Sequence, residues 1–166
     1  MLELGALGRG GRGLDASSGV KFAHSVEIPA PPDRVYAFLL DVPRVAACLP
    51  GASAVRRDAE ERYAGGLAVG VGPIRVALDG DVQVLSRDDA TRTMTLRATG
   101  DDRRAGGVRA LITMHAQHSG QGTRLLLDSD VVVVGRLRVL GPLILKRKAE
   151  QLLVEFARNV ARELVR

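Results

Sequence analysis

The sequence predicts an α+β fold: two short helices after the first strand, and a curved, seven-stranded antiparallel sheet around a long C-terminal helix. Two observations predict it. Seven segments alternate apolar and polar residues with a period of two, and the last segment changes to a helical period. The length of 166 residues suits one domain with one core.

Residues 1–20 hold six glycines and no apolar run, so they read as a flexible Gly-rich tail preceding a domain over residues 21–166. The first strand, Phe22 to Ile28, sets Phe22, His24, Val26 and Ile28 against Lys21, Ala23, Ser25 and Glu27. Pro29, Pro31 and Pro32 stop it, and Pro32-Asp33 opens a short helix with Val35, Phe38 and Leu39 on one face. Asp41 and Pro43 break that helix, a second runs from Val42 to Leu49, and Pro50-Gly51 turns the chain.

Six strand-like segments follow: Ser53–Arg57, Arg62–Gly72, Ile74–Ser86, Thr91–Gly100, Val108–Ser119 and Arg124–Val134. Each carries its apolar residues on one parity, as in Val76, Leu78, Val82 and Val84, so the sheet buries one face. From about Leu137 onward Leu145, Ala149, Leu152, Phe156, Val160 and Leu164 recur at three- and four-residue spacing. Gly141-Pro142 starts or kinks this helix, which from Pro142 spans about 37 Å, enough to cross a small sheet. A one-faced sheet and a matching helical stripe have each other as partners, which defines a helix-grip architecture.

Composition narrows the function. Aromatic residues make up 3% and Trp is absent, so the stacking platforms of single-strand nucleic-acid binders are hard to build, and no nucleic-acid partner is expected. The net charge of +5 is concentrated at residues 136–166, with 8 basic against 3 acidic side chains. Clustered cations suit an anionic membrane surface or an acidic partner. One cysteine fits a reducing, cytoplasmic compartment, and no apolar window reaches a membrane span, so any membrane contact is peripheral.

No catalytic or metal-binding constellation stands out. His115 and His118 fall on opposite strand faces, and His24 is alone and reads as structural or exposed. Cys48 reads as a small buried hydrophobe, and the pairs Asp88-Asp89 and Asp101-Asp102 sit where turns favour aspartate. What remains is an apolar interior poor in bulky aromatics, for which the residues alone favour an ordinary packed core, with an apolar ligand cavity as the alternative. Its expected lining is Leu39, Leu49, Leu67, Leu78, Leu96, Ile112, Met114, Leu127, Leu152 and Phe156. Tyr36, Tyr63 and Ser129 are the polar groups for a ligand head group, and Lys146, Arg147 and Lys148 form a docking patch.

Several motifs carry a resemblance. They are Pro31-Pro32-Asp33-Arg34-Val35-Tyr36, Asp41 leading to Cys48-Leu49-Pro50-Gly51, Val71-Gly72-Pro73 after Tyr63, Gly80-Asp81-Val82, and Gly135 with Leu137, Gly141 and Leu143. In this order the chain resembles the START-like (SRPBCC) helix-grip superfamily and, within it, the G-subunit family of carbon monoxide dehydrogenase, over about residues 21–166. The resemblance implies a non-catalytic accessory protein of molybdenum hydroxylases, with no covalent cofactor. Such a protein binds a quinone or other lipid and contacts the inner face of the cytoplasmic membrane. The chain departs from the family in its Gly-rich tail and in ending with the helix, where some members carry an extra anchoring segment. The alternatives are a cavity enzyme of the same superfamily, a cyclase or hydrolase, and an interaction module with a filled core.

Overall fold

The computed structural model describes residues 19–165 apart from Ala54; the expected tail, but for Gly19 and Val20, lies outside the described residues. The strands are β1 (Gly19–Ile28), β2 (Arg56–Ala59), β3 (Arg62–Val71), β4 (Ile74–Asp88), β5 (Thr93–Asp102), β6 (Gly106–Ser119) and β7 (Gly122–Val134). The helices are α1 (Pro32–Leu39), α2 (Val42–Ala47) and α3 (Gly141–Val165), with a 3-10 turn at Gly135–Leu140 before α3. All neighbouring strands pair antiparallel in one sheet of order β1-β7-β6-β5-β4-β3-β2. The predicted fold class is the one observed.

Most boundaries shift by a residue or two, and four of the differences have a clear local reason. β1 starts two residues before the expected domain edge, because Gly19 and Val20 pair with Val132 and Val131 of β7. β2 begins at Arg56 rather than Ser53: Ser53 donates its N–H to the Gly66 carbonyl at 3.0 Å, and its Oγ accepts the Gly66 N–H at 3.0 Å. α2 ends at Ala47, where Cys48 and Leu49 tighten the last turn by donating to the carbonyls of Val45 and Ala46. The long helix begins at Gly141 rather than Leu137. Gly141 has φ +80°, outside the helical region, and Pro142 brings no N–H to a preceding turn.

Curvature comes from a crease across the middle strands. Gly65, Gly80 and Gly100 are cross-strand partners on β3, β4 and β5. A Cβ on Gly80 would lie 1.8 Å from the Thr99 carbonyl oxygen, so this position requires glycine for the strands to bend as they do. The concave face so formed takes α3, which runs close to β1 at one margin and β3 at the other, bridging the middle strands.

The core divides in two. The larger cluster gathers Ile28, Val35, Phe38, Leu39, Met94, Met114, Leu125, Phe156, Val160 and Leu164 beneath α1, α2 and the C-terminal half of α3. The smaller comprises Val71, Val76, Ala105, Val133 and Leu137, near the 3-10 turn and the start of α3.

Candidate functional site: the concave face and its open end

Inward residues between the two clusters are less buried than those at the larger cluster. On β3 to β7 the concave side carries Leu67, Leu78, Val82, Ala98, Ala110, Ile112, Ser129 and Val131, all half-buried. Ala98 and Ala110 face one another, flanked by Val82 and Val131, so the central row is lined by small side chains. α3 packs Phe156 and Val160 with Met94, Leu96 and Met114 of the middle strands in the larger cluster, so the small side chains leave the sheet less closely covered between the two clusters.

The expected lining separates accordingly. Leu39, Leu96, Met114, Leu127 and Phe156 belong to the larger cluster, filling it rather than bordering open space. Leu49 packs against that cluster from the end of α2. Ile112 packs against the larger cluster and Leu78 against the smaller, while Leu67 and Leu152 are half-buried.

Of the polar groups, Ser129 is half-buried on the concave side, opposite Phe22 on β1 and Ile112 on β6. Tyr63 is buried on β3, beside the same row. Tyr36 departs from expectation: its hydroxyl donates to Asp89 Oδ1 at 2.8 Å, at the β4–β5 turn, so it is engaged in holding α1 rather than free for a ligand. Burial first, then this bond to an anion, pushes the Tyr36 phenol up to about 12. Cys48 is buried, and desolvation raises its thiol, which disfavours the nucleophilic thiolate. Asp102 accepts the N–H groups of Ala77, Ala105 and Arg104, which hold its carboxyl below the usual range and give it a turn-building role.

One residue that the sequence reads as structural or exposed carries an unmet polar atom in the fold. His24 lies on the concave side of β1, paired with Leu127, and its Nε2 is buried without a hydrogen-bond partner. The signal in the sequence is its shared parity with Phe22, Val26 and Ile28.

The smaller cluster lies beside an exposed apolar tip. Val139 is 80% and Leu143 67% exposed, with Ile144 and Pro142 beside them. The β3–β4 hairpin reaches the same place, since a Cβ on Gly72 would sit 3.7 Å from Leu140 and 4.0 Å from Ile144. Arg136, Arg138, Lys146 and Arg147, all exposed, flank the tip along the chain. Lys148, expected in the same patch, is half-buried and donates to Gln151 Oε1 at 3.3 Å. Among the described residues no helix is long and apolar enough to cross a membrane.

A curved sheet gripping one long helix over an apolar groove defines a helix-grip protein. Residues 25–165 match the family of the carbon monoxide dehydrogenase G subunit (CoxG), and the chain belongs to that family. None of the curated proteins matches the chain. Among solved structures it is similar to a conserved protein from Geobacillus kaustophilus, at 19% identity over 88% of this chain and 95% of that one, with a TM-score of 0.80. It is also similar to the Zhui aromatase/cyclase from Streptomyces sp. R1128, at 20% identity over 87% and 93%, with a TM-score of 0.64. Truncated norcoclaurine synthase from Thalictrum flavum aligns at 16% identity over 88% and 93%, with a TM-score of 0.57. At these identities the likeness is one of fold.

Proposed function

We propose that this protein is a non-catalytic accessory protein that holds a lipophilic, quinone-like molecule in the concave groove and docks a molybdenum hydroxylase such as carbon monoxide dehydrogenase at a membrane face. The observation that carries the reading is the divided core. Leu67, Leu78, Val82, Ile112 and Val131 point inward yet stay half-buried, Val82 and Ile112 against the larger cluster and Leu78 and Val131 against the smaller, so the face between the clusters is less closely covered than either. An elongated apolar molecule would complete that interface. Membership of a family named for a component of this dehydrogenase supports the partner. The tip of Val139, Leu143 and Ile144 with its flanking cations supports contact with an anionic lipid surface, where apolar side chains enter the headgroup layer and Arg and Lys stay above it.

Native mass spectrometry of the protein purified from its own host, followed by solvent extraction, tests the carrier role. A stoichiometric quinone or other isoprenoid is the expected result. A protein that is empty and takes up neither added menaquinone nor ubiquinone would leave only the docking role.

A further inference from the structure

A cleft of about 630 Å³ opens on the convex side of the sheet, opposite the face that takes α3. It forms because β4 outruns its neighbour. β4 starts at Ile74 but pairs with β5 only from Asp79 onward, so the β5–β6 turn borders residues 75–77 where a strand would otherwise lie. Asp102 holds that turn, its carboxylate accepting the N–H groups of Ala77 at 2.6 Å, Arg104 at 2.7 Å and Ala105 at 3.0 Å. Outward-facing Ala68, Gly70 and Ala77 lie at the floor of the cleft. Gly70 is inside β3, is not among the glycines with positive φ, and a Cβ there would meet no atom within 4 Å. Neither backbone nor packing requires glycine at this position, where it weakens the strand, and its bare surface fits the close approach of another molecule.

The charges lining this cleft are committed unequally. Of its carboxylates, Asp102 is spent on the turn and Asp101 is paired with Arg109 Nη2 at 3.1 Å. Asp79 sits at the margin, on the border with a smaller hollow that Arg56 also lines. The guanidinium groups of Arg75, Arg103 and Arg104 make no hydrogen bond or ion pair among the described residues. Like charges gathered in one cleft repel, so the fold gains nothing from placing them there, whereas an incoming carboxylate meets each guanidinium with two parallel N–H···O bonds. The lining has no aromatic ring on which a base could stack, and the cleft is an open trough, which suits an extended chain better than a small molecule that must be enclosed to be held. We propose that this cleft docks an acidic, extended segment of a partner protein, its carboxylates on Arg75, Arg103 and Arg104 and its backbone across Gly70. The site is separate from the concave face and stands whether or not that face holds a ligand.

The test titrates the isotopically labelled full chain with a capped peptide alternating Glu and Val, and separately with pyrophosphate, following the backbone amides by NMR. The peptide is expected to shift the amides of Gly70, Arg75, Ala77 and Arg104, with an affinity that falls as salt rises. Arg75→Glu combined with Arg104→Glu is expected to weaken binding about tenfold or more. Gly70→Val suits a strand better, so it is expected to melt at the same temperature or higher and yet to bind about tenfold more weakly, because its side chain occupies the floor. Lys146→Glu combined with Arg147→Glu, at the tip, is expected to leave peptide binding unchanged. Peptide shifts that gather at the tip, or equal affinity in the wild-type, Arg75→Glu/Arg104→Glu and Gly70→Val chains, would overturn the site. Pyrophosphate moving these amides while the peptide does not would overturn the partner segment in favour of a small anion.

Discussion

The two ends of the concave face are built from the same sheet and the same helix, yet one is closely packed and the other carries exposed apolar side chains. At the sealed end Arg34 donates to the Leu164 carbonyl and Asn159 Nδ2 donates to the Cys48 carbonyl at 2.9 Å, tying α3 to α1 and α2. Thr123, fully buried, donates to the Ala30 carbonyl at 2.6 Å and fixes the turn between β1 and α1. At the open end the smaller cluster is Val71, Val76, Ala105, Val133 and Leu137, and Val139 and Leu143 beside it point into solvent. A fold that concentrates its packing at one end frees the other to expose apolar surface. Close packing is thus concentrated toward the C-terminal half of α3, and exposed apolar surface toward its start.

The largest effects test the sealed end. Leu125→Ala removes a fully buried side chain from the larger cluster and is expected to cost about 2–5 kcal/mol, seen as a lower urea midpoint. Leu143→Ala, at the exposed tip, is expected to change stability by no more than about 0.5 kcal/mol. Similar losses from both would break the comparison. Thr123→Val is the next in size. It keeps the shape but leaves the Ala30 carbonyl without its donor, an expected cost of about 1–3 kcal/mol in the same assay.

Much of the fold was legible in the sequence, because parity and helical period are local signals. The seven strands, the two short helices and the stripe of Leu152, Phe156 and Val160 all follow from residue spacing. Two features were not legible, because each depends on contacts between segments far apart in the chain. The engagement of Tyr36 is one, since Asp89 lies 53 residues away and only the folded β4–β5 turn brings it to the hydroxyl. Which expected lining residues fill the larger cluster is the other. Leu39 and Ile112 look alike as apolar inward residues, and it is the placement of α1 over β6 and β7 that seals the first and leaves the second half-open.

Tyr36 gives the comparison a pH dependence. Its phenol is raised from 10.0 to about 12 in the folded chain, so the neutral form is favoured by folding. That contribution is complete below pH 10 and is lost as pH rises from about 10 through 12, where the folded chain gives up the proton. Tyr36→Phe is expected to lower the urea midpoint at neutral pH and to flatten its decline across that window. An unchanged slope would mean that the Tyr36 to Asp89 bond contributes little to the sealed end.

The smallest stability effect belongs to the cations at the open end. Lys146 and Arg147 are exposed on the first turns of α3, so reversing both to Glu is expected to shift the melting midpoint hardly at all. Binding to vesicles of an anionic lipid should nonetheless fall, by about 1 kcal/mol for each cation lost and more once reversal adds repulsion, and the loss should fade as salt is raised. Leu143→Ser offers the complementary reading at the same tip. It removes apolar area without altering charge, so its deficit should persist at high salt, where electrostatic attraction is screened and burial of apolar surface is not. Two variants with the same salt dependence would mean that the tip and its cations do not act on one surface, and the open end would then be a docking face for a protein partner.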